Sequence, residues 1–71
     1  MDAAAKGERY ARLFRKVGTF IGKGNIARAI EVLKEGRNLA QSLGDSTMER
    51  RFGDEITRLS QHKPHGGRST K

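Results

Sequence analysis

The sequence has no cysteine, no tryptophan, one proline and only eight acidic residues against fifteen basic ones. Without cysteine there can be no disulfide and no thiolate metal site. A chain of 71 residues holds one domain, with a core of marginal size. Scaffolds this small usually need a covalent or metal staple, or a second copy. With staples excluded, a homodimer is expected. No apolar run approaches the 18 or so residues of a membrane span. The N-terminus lacks the basic-then-apolar pattern of a secretion signal, and Asp2 removes the myristoylation signal. A cytoplasmic protein that crosses no membrane is the expectation.

Catalytic constellations are missing too. No Ser/His/Asp set, facing carboxylate pair or metal cluster emerges from the periodic segments. Asp54 and Glu55 are neighbours, and on a helix they point about 100° apart. His62 and His65 lie in a Gly/Pro-rich tail with no Cys, Asp or Glu beside them. The chain is therefore read as no enzyme, with no catalytic residue, cofactor or metal.

What is present is helical periodicity. The stretch Asn25–Leu43 carries Ile26, Ile30 and Leu33 on one edge. Val32, Leu39 and Leu43 lie on the other, with Ala29, Gly36 and Ala40 between them. A helix with one neighbour needs an apolar face of about 100°. This one covers roughly half the circumference, which predicts a central helix with two neighbours. Its small residues would allow close approach.

Before it, Tyr10, Leu13, Phe14, Val17, Phe20 and Ile21 follow helical spacing and read as core. Asp2 is a candidate cap. Gly7 weakens the first turns, so firm structure is expected near residue 8. Gly18 would permit a close helix crossing. Gly22-Lys23-Gly24 reads as the terminating turn, with Asn25 the next N-cap. It is not a phosphate loop, because no strand precedes it and the glycine spacing is too short.

Gly44 closes the central helix. Ser46 to Glu49 then matches a capping box. Met48, Phe52, Ile56 and Leu59 form one narrow stripe, suited to a helix packed on one side. Arg51–Glu55 and Asp54–Arg58 are spaced to pair on its outer surface. The expected fold is an all-α three-helix unit over residues 1–61, with helices near 8–21, 25–43 and 47–61. Residues 62–71, HKPHGGRSTK, read as a disordered basic tail.

The region from about Leu13 to Gly44 resembles a tetratricopeptide repeat. Leu13 stands where that family has its first large aromatic. Phe20 matches the large residue late in the first helix, and Gly24 the turn glycine. Ala29 and Leu33 reproduce the small-then-large pair, and Leu43-Gly44-Asp45 the ending of longer variants. Lys16 and Val17 replace the usual Leu-Gly, Gly36 a common alanine, and Gln41 the closing proline. The resemblance implies a helix-turn-helix pair followed by a third, packing or capping helix. It also implies a concave surface lined by the first helix of each repeat, where basic side chains hold acidic peptide groups in some members.

The charge is concentrated. Residues 1–24 carry six basic and two acidic side chains, and the last ten residues carry three basic and no acidic ones. On the first helix Arg9, Arg12, Lys16 and Lys23 fall within about 60° of one another. Lys6 and Arg15 flank them. This stripe borders the apolar face, which suggests a basic rim beside a groove. Bidentate contacts to carboxylates would make Arg9 and Arg12 the anchors. The favoured reading is a self-associating helical adaptor that binds an acidic protein or peptide. The alternative is a nucleic-acid-binding protein, in which the stripe and tail neutralise phosphates. Against it, no RNA-module signature or free stacking aromatic is evident.

Overall fold

The structure is a computed structural model that describes residues 3–61. It is an all-α unit of three helices: α1 (Ala3–Gly22), α2 (Ile26–Ser42) and α3 (Ser46–Gln61). There is no strand among the described residues. The expected basic tail and the Asp2 cap lie outside them.

Both turns use one device. Gly24 and Gly44 adopt φ of +76° and +69°, a left-handed conformation that glycine reaches without a Cβ clash. Gly24 N–H donates to Ile21 O and Asn25 N–H to Phe20 O. In the second turn Gly44 N–H donates to Gln41 O and Asp45 N–H to Ala40 O. These paired bonds satisfy carbonyls that a helix end leaves open. Asn25 and Asp45 then cap the following helices. Arg28 N–H donates to Asn25 Oδ1, and Met48 N–H to Asp45 Oδ1, both at 3.2 Å. Asp45, not Ser46, is therefore the cap of α3, and the capping-box reading is one residue too late.

α2 is the middle helix. No Cα of α1 comes within 8 Å of a Cα of α3 among the described residues, whereas both helices meet α2. The wide apolar face of α2 serves two neighbours, as its sequence suggests. Ala29, Val32, Leu33, Gly36 and Ala40 are buried there. Phe52 from α3 enters this core with no exposed surface. A Cβ built at Gly36 would overlap the Phe52 ring. Gly36 is the close-approach glycine. Gly18, read as one, has open space beside its Cα.

Side chains close the gap between α1 and α3. The Phe52 ring stacks on Phe14 at 4.7 Å and tilts against Tyr10 at 5.7 Å. Arg51 lies over the other part of this cluster, its guanidinium 5.3 Å from the Phe14 ring. Arg51 therefore does not pair with Glu55. Glu55 instead accepts from Arg58 at 2.6 and 2.8 Å, which takes Arg58 away from Asp54. α1 also begins five residues before the expected start, running through Gly7 from Ala3. A tertiary tie accounts for it: Lys6 Nζ sits 3.4 Å from Asp45 Oδ2.

Candidate functional site

The four basic residues singled out above lie together on one side of α1 and its turn, all exposed. Arg9, Arg12 and Lys16 line a cleft of about 230 Å³ with Leu13 and with Glu35 and Leu39 of α2. Arg12 and Lys16 also line an adjoining depression of about 280 Å³ with Arg15, Thr19, Phe20 and Lys23. Arg12 and Lys16 thus belong to both, and the two hollows form one groove along α1. Leu13, Leu39 and Phe20 are half-buried and give it an apolar floor.

The helix period explains this placement. Leu13 and Phe20 are seven residues apart, close to two turns, so they share an edge. Arg12 and Lys16, one turn apart, stand just outside that edge. Their long alkyl stems can lie on apolar surface while the charged heads stay in water.

The charge in the groove is largely uncompensated. Among the described residues, no carboxylate is within salt-bridge distance of Arg12, Arg15, Lys16 or Lys23. Among the described residues Glu35 is the one acidic side chain lining the groove. Lys23 follows the C-terminus of α1, where the helix dipole favours a cation.

The groove is made by α1 and α2, and no α3 side chain lines it. The α1 edge that meets α3 is the one bearing Tyr10 and Phe14, and Arg12 points about 160° around the axis from Phe14. The stripe therefore does not face the surface that α1 and α3 share. The contribution of Glu35 and Leu39 is absent from the sequence reading. It depends on how α2 is rotated against α1, which periodicity within one helix does not report.

A second feature lies on the α1–α3 side. Ile21, 41% exposed, lines an apolar depression of about 360 Å³ with Ile26, Leu59, Glu55 and Arg58.

The described residues contain no group of three or more His, Cys, Asp or Glu placed to hold a metal ion. They contain no helix long and apolar enough to cross a membrane. Two groups have displaced protonation equilibria. The Met48 backbone N–H, with Lys6 and Tyr10, holds the Asp45 carboxyl below its ordinary range, against a partial desolvation that acts upward. Burial, then the neighbouring Asp45 carboxylate, pushes the Tyr10 phenol up. These two groups touch each other at the α1–α3 junction, away from the groove, and serve the fold. No family model, curated protein or solved structure matches the chain.

Proposed function

We propose that this chain is a small helical interaction module that holds an acidic segment of a partner protein in the basic groove between α1 and α2. One observation carries this reading. Arg12 and Lys16, with no carboxylate within salt-bridge distance among the described residues, line the same hollows as Leu13, Leu39 and Phe20. A partner carboxylate gains a charge-assisted hydrogen bond there, and its neighbouring apolar atoms gain burial. Phosphate binding would use the cations but leave the floor unused. The tetratricopeptide-like hairpin fits the same role, with α3 as the cap of a single repeat.

The test is a pull-down from native lysate with and without nuclease, followed by titration at two salt concentrations. An acidic protein partner should survive nuclease and keep much of its affinity at ~0.3 M salt, where exposed charges are screened. Nuclease-sensitive capture, with salt-steep binding to DNA or RNA, would replace this reading with phosphate neutralisation.

Self-association forms a second part of the proposal, supported by the exposed Ile21 and its apolar surroundings. Sedimentation equilibrium should show a dimer at micromolar concentration. A monomer across a hundredfold dilution would remove it.

A further inference from the structure

We infer that the occupant of the groove is an acidic amphipathic α-helix, which packs between α1 and α2 as a fourth helix on the side opposite α3. The inference rests on the acidic-segment reading above and adds the partner's secondary structure and its residue spacing.

The first argument is the length of the apolar track. From Leu13 to Phe20 is seven residues of α1, or about 10.5 Å at 1.5 Å per residue. Leu39 shares the cleft with Leu13. Leu43, the C-cap residue just past α2 and 37% exposed, stands one turn beyond Leu39, about 6 Å on and past the end of the cleft. The whole track is therefore about 16 Å, or roughly three turns of a helix.

The second argument is its spacing. A partner helix with apolar residues at i, i+4 and i+11 places them about 6 and 10.5 Å apart on one face. They then meet Leu43, the Leu13–Leu39 pair and Phe20 in turn. A β-strand fits poorly: 10.5 Å is three strand residues, and residues three apart point to opposite faces. A polyproline segment does repeat at about 9 Å, but such segments dock on aromatic-lined grooves. Among the described residues Phe20 is the only aromatic side chain lining this one.

The third argument is charge. Arg12, Lys16 and Lys23 follow the track on its α1 side at intervals of four and seven residues. Those are the same-face intervals of a helix. Carboxylates flanking the apolar stripe of a partner helix would face them turn by turn. Glu35, on the α2 side of the cleft, would repel an acid there. The acids of the partner are thereby confined to one flank, which sets its rotation in the groove.

The test uses the full chain and four synthetic 18-residue peptides of identical composition, Leu and Glu on an Ala background, apart from one substitution. One has Leu at i, i+4 and i+11 with Glu on one flank. The second has the same Leu positions with Glu moved to the opposite flank. The third carries Ala→Pro at its centre. The fourth has the Leu residues scrambled. Fluorescence anisotropy reads affinity, and methyl NMR reads location. The first peptide should bind at least tenfold more tightly than the other three. It should shift the Leu13, Leu39 and Leu43 methyl signals and leave Leu59 unmoved. Arg12→Glu with Lys16→Glu should abolish binding, and Leu43→Glu should weaken it at least threefold, with helical content unchanged by circular dichroism. Equal binding of the proline-containing peptide overturns the helix inference while leaving the acidic-segment reading intact. Binding of none of the four below 100-fold the protein concentration overturns both. Perturbation of Leu59 in place of Leu39 places the site on the α1–α3 side and overturns the groove.

Discussion

The Tyr10 hydroxyl donates to the Asp45 carboxylate across 35 positions of sequence, at 3.2 Å. Tyr10 lies in the first half of α1, and Asp45 is the N-cap residue just before α3. Because the α1 and α3 backbones do not meet, this bond and the Phe52 ring cluster are what register the outer helices against each other. Asp45 has three jobs: it ends the α2 turn through its N–H, caps α3 through Oδ1 and ties α1 through Oδ2. One short side chain thus couples all three helices.

Tyr10→Phe should keep the ring packing and lose the hydrogen bond, lowering stability by about 0.5–1.5 kcal/mol. Asp45→Ala should cost more, because the α3 cap and the Lys6 contact go as well. Combined, the two should cost less than their sum, since they share a partner. Urea unfolding of the two single variants and the double variant measures this coupling. Strict additivity would mean that the Tyr10–Asp45 bond contributes nothing in solution.

The same junction sets a pH dependence. Asp45 has a folded pKa below its unfolded one, so its contribution is present above the unfolded pKa. It is lost as pH falls through the folded value. Tyr10 has a folded pKa above its ordinary 10.0, so its contribution is lost as pH rises past about 10. Stability should therefore decline below pH 4 and above pH 10. In Asp45→Asn the acid limb should flatten. Thermal unfolding from pH 2 to 11 gives both limbs, and an unchanged acid limb in Asp45→Asn would assign it to other carboxylates.

Two glycines on different helices should respond oppositely to alanine. In an exposed helix interior, Gly→Ala normally gains up to about 1 kcal/mol. Gly18 has nothing within 4 Å of a built Cβ, so Gly18→Ala should stabilise. Gly36→Ala drives a methyl group into the fully buried Phe52 ring, which is held between Phe14 and Tyr10. Overpacking of this kind costs about 1–3 kcal/mol, so a net loss is expected. Phe52→Leu in the Gly36→Ala background should recover part of it. Thermal unfolding of the set decides the matter; a stabilising Gly36→Ala would mean that the ring moves aside freely.

Most of the architecture was legible in the residue pattern. The half-circumference apolar face of Asn25–Leu43 announced two neighbours, and the narrow stripe of Met48, Phe52, Ile56 and Leu59 announced one. Gly24-Asn25 was readable as turn and cap. Gly44-Asp45 repeats the device, but Ser46 and Glu49 offered a competing capping box that local pattern alone favoured. What decides for Asp45 is geometry: a left-handed Gly44 makes the next residue both the end of one turn and the start of the next helix. The early start of α1 was hidden for a related reason. Local propensity counts the penalty of Gly7 but not the Lys6 and Tyr10 contacts to Asp45. The basic stripe followed from the period of one helix, whereas its apolar floor needed the rotation of another.

The groove should also leave a signature in the free protein. Arg12 and Lys16 sit at i and i+4 on α1, where like charges destabilise a helix by about 0.2–0.5 kcal/mol. Arg9 and Arg15 add repulsion at three residues on either side of Arg12. Arg12 and Lys16 have no carboxylate within salt-bridge distance among the described residues, so their mutual repulsion lowers folding stability until a partner supplies counter-charge. Lys16→Gln should therefore raise stability by a few tenths of a kcal/mol at low salt, and the gain should vanish near 1 M salt, where screening is nearly complete. Arg50→Gln is the control. Arg50 lies outside the groove, four residues before Asp54, so its removal should leave stability equal or lower. Urea unfolding at 20 mM and 1 M salt separates the two. If Lys16→Gln destabilises at low salt, Lys16 has an attractive role within the fold, and its place in a binding groove loses this support.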